Sequence, residues 1–302
     1  MYELDKKNHK NFKKTLKELK EKKWKHLICP HQSIRSHRLA FSLKAEQKVG
    51  FKNFYNFFIF DQSLKRPMHL PDALRQLSLL TLLDKDFQKD FDSITASYKN
   101  LSQQQTVDFN QQPAITESLS MGVDLATKTS SNDFNQAIFI APGSVWATKR
   151  WTLEGFSELI SLLENEKVCL IGSPNEMDIC NKLKELHPDV VNLCGQTSLA
   201  ELSLLLSEAK CLFCNDSGTM HVASMVNCPT VSVFGPTTLD LGYRPWSNNA
   251  LVVQKSLGCR PCGKHGHDKC PIGTHECMKS ITGLDVFKQA QKSGVFTDSP
   301  SH

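Results

Sequence analysis

From residue 137 to residue 234 short apolar runs alternate with longer segments of helical periodicity, and this alternation leaves the chain very few architectures. The runs 137–141, 168–172, 190–193, 211–214 and 230–234 read as buried strands. Segments 152–163, 175–186, 199–209 and 219–226 read as the helices between them. Strands apolar on both sides and joined by helices predict a parallel sheet covered on both faces, the arrangement of an α/β domain. In such sheets ligands bind outside the carboxyl ends of the strands. The stretch C-L-F-C-N-D-S-G-T-M-H-V, 211–222, is the organising one, because a buried strand there breaks through a tight turn into a helix start.

The first part of the chain repeats the alternation more faintly. Segments 26–30 and 47–51 read as strands, 33–43 as a helix, and 71–83 as an apolar helix buried through Leu74, Leu77, Leu80 and Leu83. From about residue 84 to 136 the chain turns polar, with one helix expected around 87–101. A chain of 302 residues suits two domains. The expected division is therefore an N-terminal α/β domain over 1–100, a polar linker over 101–136 and a second α/β domain over 137–302.

Charge and composition narrow the class. Residues 1–26 hold ten lysines against Glu3, Asp5, Glu18 and Glu21. That run reads either as a solvated helix with a buried stripe of Leu16, Leu19 and Trp24, or as a surface for anionic membrane or nucleic acid. Aromatic residues are not interleaved with basic ones in the manner of a nucleic-acid surface, so no nucleic-acid partner is expected. There is no run of about 18 apolar residues and no apolar core behind the N-terminal charges, so a cytoplasmic location is expected. Eleven cysteines scattered through expected strands and helices suit reduced thiols.

Three strand ends carry candidate groups. Gly143, Ser144, Thr148 and Lys149 follow the first strand and offer amides, hydroxyls and a cation to a pyrophosphate. Glu176 follows the second; its carboxylate suits a ribose diol or simply a helix N-terminus. Asp216, Ser217, Gly218, Thr219 and His221 follow the fourth, where a helix N-terminus favours an anion. Asp216 can cap the helix or accept from a sugar hydroxyl. His221 can donate to a phosphate or sit in the core. Convergence at one sheet edge favours a nucleotide-diphosphate site.

The motifs A-P-G-S-V-W-A-T-K-R-W (141–151), G-S-P-N-E (172–176), C-G-Q-T-S-L (194–199), N-D-S-G-T-M-H-V-A (215–223) and F-G-P-T (234–237) resemble glycosyltransferase family 9, the ADP-heptose:lipopolysaccharide heptosyltransferases, most of all those of the heptosyltransferase II type. K-H-L-I-C-P and K-V-G-F extend the resemblance backward. It implies the GT-B fold of two Rossmann-like domains, inverting transfer of a heptosyl unit from ADP-heptose to the lipopolysaccharide inner core, and no metal or other cofactor. It implies further that Ser144 and Lys149 contact the diphosphate, Glu176 the ribose, and the backbone after Asp216 together with His221 the phosphates. Thr197, Ser198 and Leu199 would line the adenine pocket. A lipid-linked saccharide acceptor and peripheral contact with the inner membrane complete the picture. Family members open on a strand and a glycine-rich turn bearing an aspartate, whereas this chain opens on a lysine-rich helix, so the resemblance implies an incomplete N-terminal domain with no assigned base. His31, His37 or Asp61 would have to take over that role. The rival is a non-catalytic nucleotide-sugar-binding remnant.

Near the C-terminus Cys259, Cys262, Cys270 and Cys277 form C-x2-C-x7-C-x6-C. The spacing is compatible with a tetrahedral zinc site or with unliganded thiols.

Overall fold

The computed structural model describes residues 9–99, 132–247 and 249–297. The chain divides into two units, Met1–Lys99 and Asn100–His302. The first runs through α1 (His9–Glu21), β1 (Lys23–Cys29), α2 (Ile34–Ser42), β2 (Lys44–Phe51), β3 (Gln62–Leu64), α3 (Asp72–Leu77) and α4 (Lys85–Lys99). Its strands pair in the order β1-β2-β3, all parallel. Alternation along β2 separates two small cores. Val49 and Phe51 meet Leu79 on one face, while Cys29, Ala40, Ile59 and Phe60 cluster apart from them. Gly50 is needed there, because a Cβ would stand 2.4 Å from the Phe60 ring.

Two expectations for this unit are corrected. Trp24 does not continue a helical stripe with Leu16 and Leu19, because α1 ends at Glu21 and W-K-H-L-I-C extends as β1; the indole donates back to Leu19 O (3.2 Å). The helix expected over 71–83 changes period, giving way after Leu77 to a 3-10 turn (Ser78–Leu82), so Leu79 is fully buried in place of Leu80. The linker expected over 101–136 lies outside the described residues as far as 131, and Asn132–Phe134 form a 3-10 turn.

The second unit contains β4 (Ile138–Ala141), α5 (Leu153–Ser161), β5 (Val168–Leu170), α6 (Met177–Leu186), β6 (Val191–Asn192), α7 (Leu199–Ser207), β7 (Cys211–Asn215), α8 (Gly218–Met225), β8 (Thr230–Phe234), β9 (Ala250–Gln254), α9 (Glu276–Lys279) and α10 (Gly283–Ser293). Six parallel strands pair in the order β6-β5-β4-β7-β8-β9. Numbered from β4, this is the order 3-2-1-4-5-6 of a dinucleotide-binding sheet, with its topological switch between β4 and β7. Period-two alternation serves both faces. Ile138, Ile140, Cys211 and Phe213 pack with Phe156, Leu159, Cys180 and Leu183 of α5 and α6, and Val286, Ala290 and Phe296 join them. Ala137, Phe139, Leu212 and Cys214 pack with Leu206, Met220 and Ala223 of α7 and α8. Each such large apolar side chain contributes about 1.5–3 kcal/mol by leaving water.

Strand β9 and helix α10 lie beyond the alternation read from the sequence. Helix α10 has a capping box of Thr282 and Asp285, and ends at Gly294 in the left-handed region (φ 73°). Gly283 lets it approach α5 closely, since a Cβ there would lie 2.6 Å from Leu159 N.

Candidate functional site

At the switch point β4 ends in Pro142-Gly143-Ser144 and β7 ends in Asn215-Asp216-Ser217. Adjacent strands diverge there to helices on opposite faces, leaving a crevice above the sheet edge. The fully buried Asn215 stitches its walls: its amide donates to Pro142 O (2.8 Å) and Gly143 O (3.2 Å), and its Oδ1 accepts from Trp151 N (2.9 Å). The Ser144 hydroxyl donates to Asp216 O (3.2 Å), which commits its proton to the protein.

Lys149 and Asp216, both expected at the ligand, meet each other. Lys149 Nζ lies 2.6 Å from Asp216 Oδ2, and the same oxygen accepts from Thr237 Oγ1 (2.5 Å). All three side chains are buried, so the pair is held at low dielectric with a hydroxyl completing the carboxylate's shell. The Tyr243 ring lies 5.8 Å from the ammonium. Thr237 closes the F-G-P-T motif at the carboxyl end of β8, and its carbonyl accepts from the Arg260 guanidinium (2.7 Å). Partial burial pushes the Arg260 pKa down. The roles of Asn215, Thr237 and Arg260 went unread in the sequence; F-G-P-T was the signal for Thr237.

Asp216 is therefore not the cap of α8. The N-cap is Ser217, extended at φ −148° and ψ 173°, and no side chain closes the helix end. Its own Oγ is buried without a hydrogen-bond partner. Gly218 is exposed, with nothing within 4 Å of the position of a Cβ. Thr219 is half-buried in the same first turn. The first amides of α8 thus have no side-chain cap, and the positive end of the helix dipole lies behind them. One turn in, His221 is half-buried and stacks on Trp246, ring centroids 5.5 Å apart and planes 14° from parallel.

Glu176 stands beside this crevice. Its Oε2 accepts from Ser173 N (2.6 Å) in a capping box, so the helix-terminal role is real. Its Oε1 presses on Gly143, where a Cβ would come within 1.9 Å. Gly143, Arg150, Leu153, Glu176, Asp178 and Lys182 line a cleft of about 250 Å³. At the carboxyl end of β6, Ser198 caps α7, donating to Glu201 Oε2 (2.6 Å) and accepting from Glu201 N (3.3 Å). Thr197 is half-buried, and Leu199 leaves 68% of its surface exposed.

Thr148 has a different task from the one expected. Its Oγ1 donates to His267 O (2.8 Å) and accepts from His267 N (2.8 Å), while His275 Nε2 donates to Thr148 O (2.8 Å). The hydroxyl is spent on the cysteine-bearing segment, which it pins to the K-R-W loop. Within that segment the Cys262 thiol donates to Cys259 O (3.1 Å), and Cys270 Sγ accepts from His275 N (3.4 Å). Cys277 is buried. Among the described residues no group of three His, Cys, Asp or Glu side chains is arranged to hold a metal ion. Burial raises the Cys277 thiol to about 11, whereas the amide of His275 holds Cys270 below the usual range.

In the first unit His37 is almost fully buried, and that burial lowers its pKa. Asp61 Oδ2 accepts from Lys48 N (2.7 Å) and His31 Nδ1 from Ser33 N (3.3 Å).

The model of glycosyltransferase family 9 (heptosyltransferase) matches residues 12–271. The chain belongs to glycosyltransferase family 9. It is 31% identical over 159 residues to lipooligosaccharide heptosyltransferase 2 of Campylobacter jejuni subsp. jejuni serotype O:6 (strain 81116 / NCTC 11828), an overlap of 50% of this chain and 49% of that protein. The chain thus spans about half the length of the curated relatives it matches. Its fold matches that of E. coli ADP-heptose lps heptosyltransferase II with a TM-score of 0.63 at 22% identity, over 93% of this chain and 79% of the other. It matches E. coli heptosyltransferase WaaC with ADP at a TM-score of 0.65 and 19% identity, over 93% and 76%. At those identities the likeness is one of fold, and the family 9 chain is α/β and GT-B-like. Among the described residues no helix is long and apolar enough to cross a membrane.

Proposed function

We propose that the Asn100–His302 unit binds the ADP part of ADP-heptose and that the protein transfers the heptosyl unit, with inversion, to the inner core of lipopolysaccharide. The observation that carries this reading is the uncapped N-terminus of α8 at the switch point, beside the buried Lys149–Asp216 pair. A diphosphate seated there gains the amides that follow Ser217 and the positive end of the dipole. One Lys149 donor is taken by Asp216; an ammonium has three, so others serve the phosphates. His221 adds a donor from the next turn.

From β7 across β4 and β5 to β6 is about 14 Å at the usual strand spacing, near the span of an extended ADP. Glu176, with one oxygen in its capping box, offers the other to the ribose diol. Thr197 and Leu199 form the wall for adenine. In transfer the acceptor hydroxyl attacks the anomeric carbon from the face opposite ADP through an oxocarbenium-like state. The bond to the β-phosphate oxygen breaks with its electrons going to ADP, and the acceptor proton passes to a base. The helix end and Lys149 stabilise the charge that develops on the leaving diphosphate. The relatives' names support the heptosyl donor and the saccharide acceptor. A lipid-linked acceptor places the working enzyme on the cytoplasmic side of the inner membrane, in peripheral contact with it.

Calorimetry with ADP, UDP and GDP tests donor binding, and transfer from ADP-heptose to heptose-deficient lipopolysaccharide tests turnover. The reading expects ADP binding in preference to the others, together with transfer. Absence of ADP binding at millimolar concentration overturns it. Binding without transfer reduces the chain to a nucleotide-sugar-binding remnant.

A further inference from the structure

The first unit exposes a group of aromatic side chains that donor binding does not use. The loop between β2 and β3 turns Ile59 and Phe60 inward against Cys29 and Ala40, and in doing so turns Phe54, Phe57 and Phe58 outward, at 88%, 76% and 63% exposure. Phe57 meets Phe58 edge-on at 5.4 Å, and Phe58 meets Phe41, at the end of α2, at 6.1 Å. Phe41 is itself 62% exposed. On the same helix Arg35 and Arg38 are exposed, Arg38 less than one turn before Phe41. Residues 22–60 carry eight Lys or Arg against one acidic residue, Glu46.

We infer that this face of the first unit is a docking surface for an anionic lipid bilayer. Phenylalanine rings set among arginines and lysines suit the boundary between headgroup and acyl chain, where the rings leave water and the cations meet lipid phosphates. The charge argues against a second copy of the chain as the occupant, since an isologous contact would bring Arg35 and Arg38 against the same cations. The inference deepens the acceptor side of the reading above by naming the surface that brings the enzyme to a lipid-linked saccharide.

Flotation of the intact chain with vesicles of phosphatidylethanolamine and phosphatidylglycerol, and with vesicles of phosphatidylcholine alone, tests it. The anionic vesicles should carry the protein, less so at high salt, and the neutral ones should not. Phe57→Ser with Phe58→Ser should cut partitioning at least about tenfold, and Arg35→Gln with Arg38→Gln by a similar factor. Phe54→Ser, at the most exposed position, should cut it several-fold with least effect on the fold. All of these variants should keep the ADP affinity of the parent chain. The inference is overturned if the anionic vesicles leave the parent chain behind. Unchanged flotation of the phenylalanine variants overturns it too, as does conversion of a dimer to monomer by those variants with flotation intact. Loss of ADP binding by the parent chain with normal flotation would sink the donor reading and leave this one standing.

Discussion

Lys149 Nζ lies 2.6 Å from Asp216 Oδ2, and the two side chains retain only 8% and 3% of their exposure. Removing one member of such a pair leaves an uncompensated charge inside the protein, which costs about 3–5 kcal/mol. Lys149→Ala and Asp216→Ala should each destabilise the second unit by that much. The double change Lys149→Met with Asp216→Leu should recover most of the loss. Urea unfolding measures all three; single effects that simply add would show that the pair is not coupled.

Gly143 and Glu176 should prove to act as one unit. Gly143→Ala drives a methyl into Glu176 Oε1 and displaces the carboxylate from the cleft. ADP affinity should fall at least about tenfold, or 1.4 kcal/mol. In a Glu176→Ala background the same change should cost little. Calorimetry on the four combinations gives the result, and equal losses in both backgrounds would separate Gly143 from the ribose site.

Ser217→Asp should move stability and binding in opposite directions. An aspartate at the open N-cap of α8 accepts from the first amides and stabilises the helix by about 0.5–1 kcal/mol. The same carboxylate opposes a diphosphate on those amides, so ADP affinity should drop at least about tenfold. A thermal melt and a titration on one preparation suffice. A stabilised variant that still binds ADP normally would remove the diphosphate from this helix end.

Thiol reactivity should divide the C-terminal cysteines. Only the thiolate is alkylated, and the His275 amide holds Cys270 below the usual range while burial lifts Cys277 to about 11. Brief iodoacetamide treatment at neutral pH, read by mass spectrometry, should mark Cys270 well before Cys277 or Cys169, which burial also raises to about 11. Raising the pH toward 11 should narrow the gap. Equal rates at neutral pH would contradict the arrangement of the segment.

The parts of this fold that could be read in advance are those whose signal is contiguous. C-L-F-C before N-D-S-G marks β7 and the start of α8 within a dozen residues, and the same holds for β4 and β5. The Lys149–Asp216 bond had no such signal. Its partners are brought together by strand order, which is a property of the whole sheet, and the result is that two expected ligand contacts hold each other. Thr148 misled for a similar reason, since His267 and His275 lie more than a hundred residues away. Trp24 and the helix over 71–83 failed locally, where apolar spacing fitted two periods and packing chose between them. Helix α10 was within reach through Thr282, Asp285 and Gly294.

The stitch of Asn215 to Pro142 spans 73 residues of sequence. Strand β7 pairs with β4 directly, yet α5, β5, α6, β6 and α7 are all synthesised between them. Closing a loop of that length costs entropy before any contact rewards it, so docking of β7 belongs to the late, slow part of folding. Until then β4 presents a bare edge. The crevice therefore comes into being only as the fold completes, and recovery of ADP binding during refolding should lag behind recovery of helical signal.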